Sequence, residues 1–148
     1  MSKLSNKEQF NYINKMNNEQ KIIFLKILVA LASADSKFKN SERDFIKDMV
    51  IIFGLPKEAV SEILTPLSDD ELIMQASKIN NRQVALQLIK EACLLANSDG
   101  DFSDREILLI GKIGQSMNIE LEKIEQISQW IIDRLVWLEQ GKLIFEQL

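Results

Sequence analysis

Four carboxylates fall within eight residues of one short segment, DGDFSDRE: Asp99, Asp101, Asp104 and Glu106, relieved only by Arg105. Carboxylates gathered this closely are hard oxygen ligands of the kind that calcium or magnesium takes. Asp99, Asp101 and Glu106 are the candidate ligands. Asp104 is the weaker candidate, because its direction around the following helix start differs. The segment is not an EF-hand. Counted from Asp99, the sixth position is Asp104 where the sharp turn needs glycine, and the twelfth is Ile110 where a bidentate glutamate belongs. A second reading competes with the metal. Ser103-x-x-Glu106 has the form of a capping box, with Ser103 capping a helix and Glu106 reaching back to it. Asp101 and Asp104 then sit at the positive end of that helix dipole. Capping is the preferred reading, and metal binding remains the expectation to test.

Other chemistry is sparse. The chain has no histidine, so it lacks the commonest general base and the commonest metal ligand. Its single cysteine, Cys93, lies in the apolar stretch LIKEACLLAN, where a thiol behaves as a small hydrophobe. Without a histidine to activate it, nucleophilic catalysis by Cys93 is not expected. Two carboxylates working as acid and base would need separated pKa values and a sheltering cleft. The chain is therefore read as a non-enzyme.

The acidic segment is one of two copies of a pattern 64 residues apart. LASADSKFKNSERDFI (31–46) matches LLANSDGDFSDREILLI (94–110), with 7 identities in the 34 positions from Ile22 to Leu55. Lys26, Leu31, Ala32, Asp35, Phe38, Glu42 and Ile46 match Lys90, Leu95, Ala96, Asp99, Phe102, Glu106 and Ile110. The shared motif is an apolar helix, an Asp, a Phe three residues on and a Glu seven residues on. Such self-similarity marks a repeated supersecondary unit. A large ring has reason to sit mid-loop only if it plugs the junction of the flanking helices, so Phe38 and Phe102 are read as structural. Asp35 and Glu42 complete that structural motif. The first copy carries Lys37 and Asn40 where the second has Asp101 and Asp104, which argues against a cation there. Lys26 and Lys90 are expected to snorkel out of apolar helices or to pair with an acid such as Asp35 or Asp99.

These residues resemble the tellurite-resistance TerB-like family, whose relatives include the N-terminal domain of DjlA-type co-chaperones. The resemblance spans about 22–135. The family's usual Ala-Asp-Gly is split between Ala34-Asp35-Ser36 and Ser98-Asp99-Gly100, so any metal role it implies rests on the second copy. The resemblance implies a non-enzymatic scaffold or sensor module linked in bacteria to stress response and tellurite resistance. Divalent-cation sensing through the acidic loop is the alternative function.

Helical spacing must position these residues from end to end, since only two prolines and five glycines interrupt 148 residues. The expected fold is an all-α compact bundle of about eight helices with internal pseudo-twofold duplication. It forms a single domain over 1–148, with repeats at about 19–79 and 82–140 and a tail at 141–148. The expected helices are Lys7–Met16, Glu19–Ala34, Ser41 to Gly54, Pro56–Leu64, Ser68–Ile79, Arg82–Asn97, Ser103–Met117 and Glu120–Gln140. Gly141 is expected to stop the last. The second and sixth are apolar nearly all round and should form the buried central pair. The third and seventh should pack on them through Phe45, Ile46 and Met49 and through Leu109, Ile110 and Ile113. On the last helix Ile124, Ile127, Ile131, Leu135 and Leu138 form the inner stripe. Trp130 and Trp137, seven residues apart, share a face. Packing against the bundle is preferred for both rings over a partner-binding surface. The tail either docks on this helix or seeks a second copy to form a homodimer.

The net charge of −4 and pI near 5.0 argue against nucleic-acid binding, which needs a basic face. The longest apolar run, Ile27 to Ala32, is far short of a membrane span, so no membrane insertion is expected. The mild acidity suits a cytoplasmic protein with a protein partner.

Overall fold

A computed structural model of the chain describes residues 11–32, 40–96 and 103–146, with side chains from Arg43 onward in the second stretch. Seven α-helices and one 3-10 turn account for most of these residues: the turn Asn11–Lys15, then α1 Asn18–Ala32, α2 Asn40–Ile52, α3 Ala59–Leu64, α4 Asp69–Ala76, α5 Arg82–Ala96, α6 Asp104–Ser116 and α7 Leu121–Ile144. The all-α expectation holds.

The apolar character of α1 and α5 decides the layout. Both bury more than one side, α1 from Ile23 to Val29 and α5 through Val84, Ala85, Leu88, Ile89, Ala92 and Cys93. A helix apolar on several sides needs neighbours on several sides. Accordingly α1 packs on α5 and is covered by α3 and α4, while α5 is covered by α6, α7 and the N-terminal turn. Among the described residues, Lys26 is the one charged residue buried in this core, and no buried side-chain nitrogen or oxygen lacks a partner.

Local chemistry sets the helix ends. Ser68 and Ser103 each accept the backbone N–H three residues on and donate to the matching glutamate, Ser68 to Glu71 at 3.0 Å and Ser103 to Glu106 at 2.9 Å. The serine half of each expected capping box is formed, and the glutamate reaches back to the serine hydroxyl. Asn81 Oδ1 accepts from Val84 N–H at 3.2 Å and starts α5. At the far ends, Gly54 (φ 69°) and Asn118 (φ 63°) turn the chain into the left-handed region. Leu55 N–H then donates to Val50 O and Ile119 N–H to Gly114 O, which closes the same reverse loop after α2 and α6. Gly54 and Asn118 stand 64 residues apart, the offset of the sequence pattern.

Several expectations need correction. The first helix, expected over Lys7–Met16, is described only as the turn Asn11–Lys15, in the tighter 3-10 form. Phe45 does not pack inward: 51% of its surface is exposed, and the core instead takes Ile46, Val50 and Phe53. Gly141 does not stop the last helix, which continues to Ile144 and ends at Phe145. A glycine within a helix only weakens it by about 1 kcal/mol relative to alanine, and the left-handed residue here is Glu146 (φ 56°), five positions further on. The inner stripe of α7 also ends early. Ile124 and Ile131 are buried, Ile127 and Leu135 are partly so, and Leu138 is exposed.

Candidate functional site

Three regions of the surface carry the residues that the sequence singles out. The first is the acidic segment. Asp99, Asp101 and Phe102 lie outside the described residues, as do Asp35, Phe38 and the side chain of Glu42. Ser103 to Glu106 is described, and there Glu106 is engaged by the cap. Glu106 is half-buried and its Oε1 accepts from Ser103 Oγ. Arg105 donates to both oxygens of Asp69 at 3.0 and 3.3 Å, which ties the start of α6 to the start of α4. Among the described residues no group of three or more Asp, Glu or Cys side chains is placed to hold a metal ion.

The second region is a groove of about 750 Å³ between the N-terminal turn, α5 and α7. Each long helix contributes residues at the i, i+3, i+4, i+7 spacing that lines one helix face: Gln83, Leu86, Gln87 and Lys90 from α5, and Lys123, Gln126, Ile127 and Trp130 from α7. The turn adds Tyr12 and Lys15. Tyr12 is fixed by rings behind it, stacked on Phe24 at 5.5 Å and edge-on to Phe53 at 6.3 Å. Burial, and then the nearby Glu91 carboxylate, push its hydroxyl up to about 12. Lys15 Nζ donates to the Gln83 carboxamide oxygen, and Lys123 Nζ to Gln126 Oε1 at 3.1 Å. Sequence reasoning missed this groove. Its signal was the pair of Gln/Lys-bearing helix faces, which read as ordinary solvated surface until tertiary structure sets them opposite each other.

The third region is the end of α7. Trp137, Leu143, Ile144 and Phe145 are all exposed, Trp137 to 71% and Phe145 to 74%, with Val136 beside them. Residues 136, 137 and 138 are followed seven positions on by 143, 144 and 145, so the segment is apolar on more than one side. The two tryptophans separate: Trp130, 55% exposed, stands in the groove, and Trp137 lies beyond it. The preference for packing both rings against the bundle is thus corrected. The helix runs past the body that would have covered them.

Cys93 is buried, and desolvation pushes its thiol up to about 11 against a smaller opposing effect of a hydrogen bond with Ser128. A thiol of this kind is protonated at neutral pH and a poor nucleophile. At the opposite end of α5, Arg82 forks onto Glu120 through two hydrogen bonds of 3.0 and 2.7 Å. This exposed pair joins the start of α5 to the residue that precedes α7.

The arrangement of helices has a counterpart among solved structures. A crystal structure of a tellurite resistance protein from Nostoc punctiforme PCC 73102 superposes with a TM-score of 0.55, covering 93% of this chain and 90% of that one at 20% sequence identity. The chain shares that protein's fold. No protein-family model matches the chain, and no curated protein matches its sequence. Among the described residues, no helix is long and apolar enough to cross a membrane.

Proposed function

We propose that this chain is a non-catalytic protein-interaction module, and that the end of α7 is its contact surface. One observation carries the reading: a projecting helix end bearing Val136, Trp137, Leu138, Leu143, Ile144 and Phe145, all exposed. Scattered apolar side chains are normal on a surface, but a contiguous set of this size marks an interaction site. Tryptophan is among the residue types that dominate binding energy at interfaces, and phenylalanine is enriched in their buried cores. The shared fold with a tellurite resistance protein supports a stress-related setting for the module. The absence of histidine and the burial of the single thiol support a role without covalent chemistry.

Photo-crosslinking in cells tests the reading. A p-benzoylphenylalanine placed at position 137 or 144 should trap a discrete adduct, either with a second copy or with another protein. The same group at position 57, exposed in the connection between α2 and α3, should not. If neither 137 nor 144 yields an adduct, the end of α7 is not an interaction surface.

A further inference from the structure

We infer that the groove between the N-terminal turn, α5 and α7 binds a small phosphorylated molecule carrying a planar ring, a ligand of the mononucleotide class. Its volume of about 750 Å³ suits such a ligand, since small-molecule sites run from about 300 to 1,000 Å³. This site is separate from the apolar end of α7, so either reading can fail without the other.

Charge is the first argument. The chain as a whole carries a net charge of −4, yet the groove wall presents Lys15, Lys90 and Lys123 and no carboxylate. None of the three forms an ion pair among the described residues, where Lys78, Arg82, Arg105 and Lys142 take the carboxylates instead. Lys15 and Lys123 bond only to neutral carboxamides, partners that an anion displaces readily because hydrogen bonds between two charged groups are the stronger. Glu91 lies outside the wall, where its Oε1 accepts from Gln87 Nε2 at 3.0 Å. The wall itself presents three ammonium groups and no carboxylate.

The ring is the second argument. Trp130 stands on the groove wall with about half its surface open, and Tyr12 lines the same space. An exposed indole beside a row of cations joins the two features that nucleotide-like ligands use: a flat surface for the base and positive charge for the phosphates. The carboxamides of Gln83, Gln87 and Gln126 offer donors and acceptors to the remaining polar edges.

Fluorescence of Trp130 in the otherwise intact Trp137→Phe protein reads binding directly, because these are the only two tryptophans in the chain. ADP at low ionic strength should quench it saturably, and added salt should weaken the effect. Pyrophosphate and adenosine, each lacking one half of the ligand, should bind at least about tenfold more weakly than ADP, by calorimetry where no quenching occurs. Lys15→Gln and Lys123→Gln should each weaken ADP about tenfold, in line with loss of one charge-assisted contact, without moving the melting temperature. Trp130→Leu should weaken ADP and leave pyrophosphate unchanged. Pyrophosphate binding as tightly as ADP would overturn the ring as part of the ligand. Absence of quenching and heat with millimolar ADP, or ADP affinity indifferent to both lysine variants, would overturn the site.

Discussion

Helices α2 and α6 occupy the same place in the two copies of the sequence pattern, yet they sit very differently in the molecule. Their ends agree: Ile46 and Ile110 are equally buried, and Gly54 and Asn118 close them with the same left-handed turn. Their surroundings do not. α6 lies against α4, α5 and α7, with Ser116 Oγ donating to Ile73 O across the α4 contact at 2.6 Å. α2 packs chiefly on α3 and leaves Phe45, Ile51 and Ile52 exposed. One matched pair shows the reason. Where α2 has Val50, α6 has Gly114, and a Cβ there would meet Ile124 Cδ1 at 2.4 Å and Ile89 Cδ1 at 3.3 Å. The missing side chain lets α7 lie down on α6. A repeated pattern thus fixes where a helix ends and which residue anchors it, while a single small residue decides what may cover it.

That contrast yields tests, the largest effect first. α2 is anchored mainly at its C-terminal end, where Phe53 meets Phe24 at 5.7 Å and Tyr12 at 6.3 Å. Phe53→Ala should cost about 3–5 kcal/mol of unfolding free energy in urea melts, the range for emptying a buried aromatic site. Phe45→Ala on the same helix, exposed as it is, should change stability by no more than about 0.5 kcal/mol. Equal effects at the two positions would dissolve the contrast within α2.

On α6, Gly114→Val should destabilise by about 1–3 kcal/mol through overpacking against buried Ile124 and Ile89. Gly111 has open space where its Cβ would be. Gly111→Ala should therefore stabilise by up to about 1 kcal/mol, as expected for removing a glycine from a helix interior. Two glycines three residues apart then respond with opposite signs. A stabilising Gly114→Val would remove the account of why α7 covers α6.

Smaller effects compare the caps. Ser68→Ala and Ser103→Ala should each cost about 1 kcal/mol, read from thermal melts. For wild type and for Asp101→Asn alike, the curve in millimolar calcium or magnesium should superpose on that protein's own curve with a chelator if the acids serve α6 as caps. A cation that binds only the folded chain would separate them, by about 2.7 kcal/mol at a hundredfold excess over its dissociation constant.

The smallest effect concerns Tyr12, the only tyrosine. Its hydroxyl is pushed from 10.0 to about 12 by burial and by Glu91, so the neutral form is the one the fold favours. Its contribution to stability is whole below pH 10 and is lost as pH rises toward 12. Ultraviolet titration of the native protein should place the phenolate transition near the upper value.

Much of the fold was legible because it rests on local chemistry. Ser68 and Ser103 start helices for reasons visible within four residues, and the apolar runs in α1 and α5 demanded a buried central pair. The errors arose where the deciding atoms lie far along the chain. Phe45 looks as apolar as Ile46, and only the lack of a neighbour beyond α3 leaves it outside. Gly141 reads as a stop, but a glycine ends a helix only when the following chain has somewhere to turn. The groove was invisible for the same reason, since Lys15, Lys90 and Lys123 are separated by dozens of residues and meet only in three dimensions.

The unsupported end of α7 has a dynamic consequence. Beyond Leu135 no residue of the helix is buried, and Gly141 weakens it midway through this stretch. Elements with few buried contacts occupy the lowest rung of local opening free energies. Amide protons from Val136 to Ile144 should therefore exchange with solvent far faster than those of Ile124 to Ile131 on the same continuous helix. Whatever grips these turns must first hold them wound, so part of its binding free energy goes into ordering backbone. Protection of these amides on complex formation would register contact even at residues the partner never touches.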